Sequence, residues 1–325
     1  MEYEAVIGLE THVQLKTRSK MFGTSSAEYQ NAEPNTLVDE VSMALPGTLP
    51  VVNETAVEYA MMIGMAINCN IARITKFDRK NYTYPDLMKG YQITQMDEPI
   101  CYEGYVDLPI EDSVRVRINR VHMEEDVARL IHVEGPRGGT VHSLIDINRA
   151  GTPLMEVVTE PDMHTSEQVE SYINNLQHII RYLGVGTANM EEGSFRCDAN
   201  ISVRPKGMKE LTTKVEVKNM NRVRAVVRAV EYEIERQIAA NESGERIIQE
   251  TRGWDDGKGI TVPQRSKEEA NDYRYFPEPD IPPLIISEEW IERTQAAMPE
   301  LPIQRKARFV SEWGLSEYDA DLLTV

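Results

Sequence analysis

Tyr3-Glu-Ala-Val-Ile-Gly-Leu-Glu-Thr-His-Val-Gln-Leu-Lys16 alternates along its length, with Tyr3, Ala5, Ile7, Leu9, Val13 and Leu15 on one side and Glu4, Gly8, Glu10, His12, Gln14 and Lys16 on the other. Successive side chains of a strand point to opposite faces, so this spacing predicts a β-strand with one dry and one wet face. Residues 196–204 repeat the pattern: Cys197, Ala199, Ile201 and Val203 oppose Arg196, Asp198, Asn200, Ser202 and Arg204. Shorter alternations run over 114–119 and 213–218. Strands of a doubly wound parallel sheet are apolar on both faces, whereas these are apolar on one, which points to an antiparallel sheet in an α+β fold. Apolar residues at helical spacing predict helices over 55–67, 166–183 and 221–240, placed to cover the dry face. Thr165 and Gln168 are set as a capping box for the second, and Gly184 as its stop.

Farther along, Pro277-Glu-Pro-Asp-Ile-Pro-Pro283 is a stiff extended run that excludes helix. A domain boundary is therefore expected near residue 285, with a first domain over 1–285 and the start of an all-helical domain over 286–325. Ser287 can cap a helix to about 298, another fits 303–313 before Gly314, and Ser316 can cap a third. That helix opens close to Val325, so the chain reads as a truncated piece of a longer one.

The 325 residues suffice for a full enzyme core, and 41% hydrophobic with 27% charged residues is the composition of a globular chain, neither disordered nor membrane-embedded. Lys+Arg 35 against Asp+Glu 53 gives a net charge of -18, which argues against a free-standing nucleic-acid binder. Cys69, Cys101 and Cys197 have neither disulfide nor zinc-knuckle spacing. With no signal peptide and no apolar run long enough to span a bilayer, a cytoplasmic location without membrane association is the expectation.

Acidic clusters occur at Glu10-Thr-His12, His122-Met-Glu-Glu-Asp126, Glu156 and Asp198. If they converge, a divalent cation must neutralise them, and oxygen-rich ligation with at most one imidazole suits Mg2+ or Mn2+. The alternative is a solvated acidic surface in an acidic protein. Between Lys76 and Gln92 lie four cations, Lys76, Arg79, Lys80 and Lys89, and three tyrosines, an array able to hold phosphates or to lie as a plain loop. Arg149 and Arg196 are further candidates of that kind. There is no Walker A loop, GxGxxG, HExxH or GxSxG, so a nucleotide would need an antiparallel cradle, and covalent hydrolase chemistry is disfavoured.

Longer strings are more specific. Val6-Ile-Gly-Leu-Glu-Thr-His-Val-Gln-Leu15, Lys76-Phe-Asp-Arg-Lys-Asn-Tyr82, His122-Met-Glu-Glu-Asp126, Asp146-Ile-Asn-Arg-Ala-Gly-Thr-Pro-Leu-Met-Glu156, Met190-Glu-Glu-Gly-Ser-Phe-Arg-Cys-Asp-Ala-Asn-Ile-Ser202 and Asp272-Tyr-Arg-Tyr-Phe-Pro-Glu-Pro-Asp280 closely resemble the GatB family, the B components of aspartyl/glutamyl-tRNA amidotransferases. The resemblance implies a heterotrimer, GatCAB, in which GatA and GatC are the partners. In that assembly GatB uses ATP and Mg2+ to phosphorylate the side-chain carboxylate of Glu-tRNA(Gln) or Asp-tRNA(Asn), and ammonia released by GatA then displaces the phosphate. It also implies a cradle similar to the glutamine synthetase and guanidino kinase fold. Metal-binding positions of the family fall on Glu10, His12, Glu124, Glu125, Glu156 and Asp198. Lys80 matches the lysine expected beside Glu125 on the ammonia path, and with Arg149 these two are the expected catalytic residues. Arg79, Lys89 and Arg196 are the expected nucleotide contacts. Where many members carry zinc-binding cysteine pairs, this chain has Phe22-Gly-Thr-Ser-Ser26 and Val38-Asp-Glu-Val-Ser-Met43, so no zinc is expected.

A Mg2+-dependent phosphoesterase or nuclease is the alternative, since clustered carboxylates also hold metals for hydrolysis. A non-catalytic scaffold with a merely solvated acidic face is a third reading.

Overall fold

The computed structural model describes residues 2–110, 114–135, 139–266 and 272–324. The strand that opens the chain, β1 (Tyr3–Gln14), becomes the middle of a large sheet because both its edges are paired: β11 (Phe195–Pro205) on one side and β10 (Pro153–Thr159) on the other. Ala5, Ile7, Leu9 and Val13 are buried on its dry face.

In chain order the other strands are β2 (Asn70–Ile71), β3 (Ile74–Thr75), β4 (Asp78–Asn81), β5 (Tyr91–Thr94), β6 (Cys101–Asp107), β7 (Arg115–Glu125), β8 (Arg129–Glu134) and β9 (Thr140–Asp146), then β12 (Val215–Lys218), β13 (Glu250–Asp255), β14 (Ile260–Ser266), β15 (Phe276–Pro277) and β16 (Leu284–Ile285). The main sheet has nine strands in the order β14-β13-β12-β11-β1-β10-β7-β6-β2. Its neighbours are antiparallel except β12 and β13, which run parallel. A parallel pair needs a long crossover, and helix α3 (Val223–Ser243) supplies it. The sheet is therefore mixed at that one junction.

Helices α1 (Glu54–Ala66), α2 (Ser166–Leu183) and α3 share one core with the sheet: Met61 and Ile63, Tyr172 and Leu176, and Val226 and Val230 lie in the same cluster as Ile7 and Leu9. Fully burying each such aliphatic side chain is worth about 1.5–3 kcal/mol. Thr165 accepts from Gln168 N, but the Gln168 side chain reaches back to His164 N, one residue before the cap. Gly184 ends α2 at φ 72°. Strand β7 continues six residues beyond the expected 119, and this extension carries the site described below.

A small sheet, β15-β4-β5, flanks β7, while β16 pairs with β3. Both pairings tie the proline-rich run back onto residues 74–81. Helix α4 (Glu288–Ala297) then packs on α1, with Trp290 Nε1 donating to Glu58 at 3.0 Å, and α5 (Pro302–Trp313) and α6 (Glu317–Leu322) follow. The two stretches expected to lack zinc are joined by Asp39, whose carboxylate accepts from the backbone of Ser25 at 2.9 Å and of Ser42 at 2.8 Å. No described helix is long and apolar enough to cross a membrane.

Candidate active site

Strand register builds the site. His12 on β1 lies opposite Arg196 on β11 and Glu156 on β10, and Glu156 in turn lies opposite His122 on β7. Directly opposed residues share a face, so a row of Arg196, His12, Glu156 and His122 crosses four strands. Two residues along β7 from His122 comes Glu124, on the same face. His12 Nε2 is 3.4 Å from Glu156 and 3.8 Å from Glu124, and one donor atom from each of His12, Glu124 and Glu156 lies within 4.8 Å of the others. Among the described residues this is the group arranged to hold a metal ion.

Its electrostatics are those of a site asking for positive charge. Burial opposes ionisation of Glu156, yet His122 and His12 outweigh it and hold the carboxyl well below its ordinary range. Burial also lowers His12, but Glu156 and Glu124 more than offset this, and the imidazole is raised above its usual value. Arg120 Nε donates to His122 Nδ1 at 3.4 Å, leaving His122 Nε2 as the donor to Glu156 at 3.1 Å. His122 therefore orients Glu156 and is not itself placed as a ligand, as outer partners of metal-binding carboxylates do. The donor set of two carboxylates and one imidazole fits Mn2+ or Mg2+ with remaining positions open to water or phosphate.

Around the triad the other expected residues separate. Glu10 stays on the same face but accepts from Asn200 at 2.8 Å, and Asp198, opposite it, is bound by Lys218 at 2.5 Å. Burial pulls the Lys218 ammonium down, but Asp198 and Glu216 hold it well above its ordinary value. Glu125 departs from the expected metal set because consecutive residues of a strand face opposite ways. It points away from Glu124, pairs with Lys89 at 2.5 Å and accepts from Ile93 N at 3.1 Å. Lys80 is likewise not paired with Glu125. It lies against Tyr273, and although burial lowers its ammonium, the charges of Glu124 and the tyrosines near it raise it above its ordinary value, so it is Lys89 and not Lys80 that pairs with Glu125. Arg79 is a strut: its guanidinium forks onto Glu278 at 2.6 and 2.8 Å, reaches Asp280 at 3.1 Å and stacks on Tyr91, leaving little for a nucleotide.

Arg149 donates to the carbonyls of Val127 and Ala128, and Arg196 donates to Asp126 at 3.2 Å. Burial raises the Asp126 carboxyl, but Arg196 and Arg149 bring it below its ordinary range. Arg149, Arg196, Asp198 and Lys218 line a cleft of about 860 Å³ on the β11–β12 side of the triad. The sequence reading missed His122 and Lys218 as site residues. The apolar phase of β7 switches from even to odd positions after 119, which masks that His122 and Glu124 share a face, whereas Lys218 lies on the polar side of the 213–218 alternation but carries no further signal than its charge.

The family model described as GatB/GatE catalytic domain matches residues 5–292. The chain is 59% identical over 324 residues to the B component of the aspartyl/glutamyl-tRNA(Asn/Gln) amidotransferase of Dehalococcoides mccartyi, covering 99% of this chain and 66% of that protein. Proteins of the same name from Caldicellulosiruptor saccharolyticus and Nostoc punctiforme are each 53% identical, over 325 and 330 residues, with 100% and 99% of this chain and 67% of each relative covered. The chain thus spans about two thirds of the length of the curated relatives it matches. A catalytic-domain match over most of the sequence, together with these identities, establishes that the chain belongs to the GatB/GatE catalytic-domain family.

Proposed function

We propose that this chain forms the ATP-dependent part of a tRNA-dependent amidotransferase. It would phosphorylate the side-chain carboxylate of Glu-tRNA(Gln) or Asp-tRNA(Asn), and ammonia supplied by a glutamine-hydrolysing partner would then replace the phosphate. One observation carries the reading: in a chain of this family, His12, Glu124 and Glu156 converge beside a cleft lined with Arg149, Arg196 and Lys218. Phosphoryl transfer is largely positioning and charge neutralisation, and this face offers a cation site next to fixed positive charges. A bound Mg2+ or Mn2+ would supply charge neutralisation for nucleotide phosphates, held by His12, Glu124 and Glu156.

The chain's own residues do the rest. His122 fixes Glu156, Lys218 and Arg196 line the cleft while paired to Asp198 and Asp126, and Glu125 with Lys89 lies behind the site where ammonia would arrive. Association with GatA and GatC, a cytoplasmic setting and a cradle similar to the glutamine synthetase and guanidino kinase fold belong to the same proposal. So does the division near residue 285. No observation favours the phosphoesterase or nuclease alternative, and the family match speaks for amidation.

The test is amidation by the chain joined to GatA and GatC, with ATP, glutamine and each misacylated tRNA. Amide formation that needs both ATP and tRNA is expected. Phosphodiester cleavage without ATP would refute the proposal.

A further inference from the structure

The segment Asp272-Tyr-Arg-Tyr-Phe-Pro277 is held where the phosphate chemistry does not require it. Asn81 N donates to Tyr273 O at 3.0 Å and Asn81 Nδ2 to Arg274 O at 2.8 Å, clamping the segment along β4. Arg274 sits between the two tyrosines at φ 43°, in the left-handed region that residues with a Cβ seldom occupy. Backbone held in this way is commonest where a site needs it. The result is a group of rings: Tyr273 meets Tyr82 at 5.7 Å and Tyr275 at 6.0 Å, both edge-on, and Lys80 Nζ lies 5.0 Å from the Tyr273 ring centre. Tyr275 and Phe276 are nevertheless exposed. Rings meeting edge to face, with Tyr273 and Tyr82 half-buried and Tyr275 open to solvent beside a charged site, form a surface for a flat ligand.

We propose that Tyr273, braced by Tyr82 and Tyr275 and backed by Lys80, is a stacking shelf for a purine base, that of the terminal nucleoside at the tRNA acceptor end. This rests on the amidotransferase reading and assigns it a substrate contact. A chain of net charge -18 has little general attraction for a polyanion, so local stacking must carry more of the recognition. Aromatic stacking serves this purpose because it depends on the face of the base and not on phosphate.

Sheet order separates the shelf from the cleft. Arg196 and Lys218 stand on β11 and β12, on one side of the triad, whereas Lys80 and Tyr82 lie on and just after β4, whose partner β5 contacts β7, on the other. Lys80 pairs with Gln92 of β5, two residues from Thr94, whose hydroxyl donates to Glu124 at 3.3 Å, so a nucleoside on the shelf would present its esterified amino acid to the triad, with the nucleotide phosphates arriving from the far side.

The purine of ATP has the same stacking chemistry, and the experiment distinguishes the two sources. In the assembly with GatA and GatC, KM for acyl-tRNA and for ATP is measured for Tyr273→Ala, Tyr273→Phe and, should the first fail to fold, Tyr275→Ala, with thermal melting as the folding check. Loss of one stacked base raises KM for acyl-tRNA about 10- to 100-fold in Tyr273→Ala, and several-fold in Tyr275→Ala. KM for ATP stays unchanged, and Tyr273→Phe behaves as wild type. Unchanged acyl-tRNA KM in a folded alanine variant of an active assembly overturns the shelf. A rise in the ATP KM alone gives the shelf to the nucleotide and overturns its acceptor-end assignment. A wild-type assembly that cannot amidate defeats the underlying reading, and the assignment with it.

Discussion

The two faces of β1 lie one residue apart and answer to different demands. On the dry face Ile7, Leu9 and Val13 are fully covered by helices and could be exchanged for other hydrophobes of similar volume. On the wet face His12 holds two carboxylates within ion-pair range, an arrangement that does little for folding because buried charges lose as much to desolvation as they gain from each other. One strand thus carries the core on its odd residues and the candidate site on its even ones. Substitutions on either face should therefore separate the two properties.

The largest separation is expected at Glu156. Glu156→Gln keeps the shape but removes the central charge of the row, and tRNA-dependent ATP turnover should fall on the order of 10²- to 10³-fold. Steady-state rates check this; near-normal turnover would mean that the triad is not the reaction centre. Across the strand, Leu9→Ala should cost about 2–5 kcal/mol of stability by opening a cavity, while the remaining folded enzyme keeps its KM for ATP. Denaturant unfolding with parallel kinetics would show whether the faces are independent.

Reading the faces from sequence worked where burial is one-sided. Strands β1 and β11 alternate because each has a core side and a wet side, and α2 runs over the expected 166–183 because Thr165 and Gly184 mark its ends. Strand β10 was invisible as a strand: Leu154, Met155, Glu156 and Val157 are buried on both faces, which erases alternation. The same loss hid the end of β7, where residues 121–125 are all buried, and with it the fact that Glu124 and Glu125 point opposite ways. The triad was therefore legible as a set of residue types but not as a geometry. The parallel pairing of β12 with β13 joins residues separated by the whole of α3, and no local pattern encodes it.

A smaller contrast concerns two charges near the edge of the site, Lys20 buried and Asp39 half-buried. Lys20 is 1% exposed, and its ammonium has no hydrogen-bond partner within the protein. Burial, partly offset by Asp39 and Glu125, lowers its pKa from 10.5 to about 8. Since the unfolded chain then holds the proton more tightly, the penalty is full below pH 8 and disappears as pH rises toward 10.5. Lys20→Met should stabilise the protein on the order of 3 kcal/mol at pH 7, with the gain closing above pH 10.5. Urea unfolding at the two pH values measures it, and a gain independent of pH would point to packing instead of charge.

Asp39 is the opposite case. Burial raises its carboxyl, but hydrogen bonds from Ser25 and Ser42 bring it from 3.8 down to about 2. Its contribution is present above pH 3.8 and is lost as pH falls through about 2. Because the group is partly exposed, Asp39→Asn should cost only about 1 kcal/mol at pH 7. Melting temperatures compared at pH 7 and at pH 2 check the sign.

Adjacent acidic residues on β7 thus point to different partners, Glu124 to the His12 and Glu156 group proposed to hold a cation and Glu125 to Lys89, and the whole functional reading turns on that division. Electron paramagnetic resonance of Mn2+ titrated into the full chain probes it without relying on turnover. One bound Mn2+ is expected in the wild type and in Glu125→Gln, and its loss in Glu124→Gln and Glu156→Gln. Retention of the ion in Glu124→Gln with its loss in Glu125→Gln would show that the division is drawn the wrong way round.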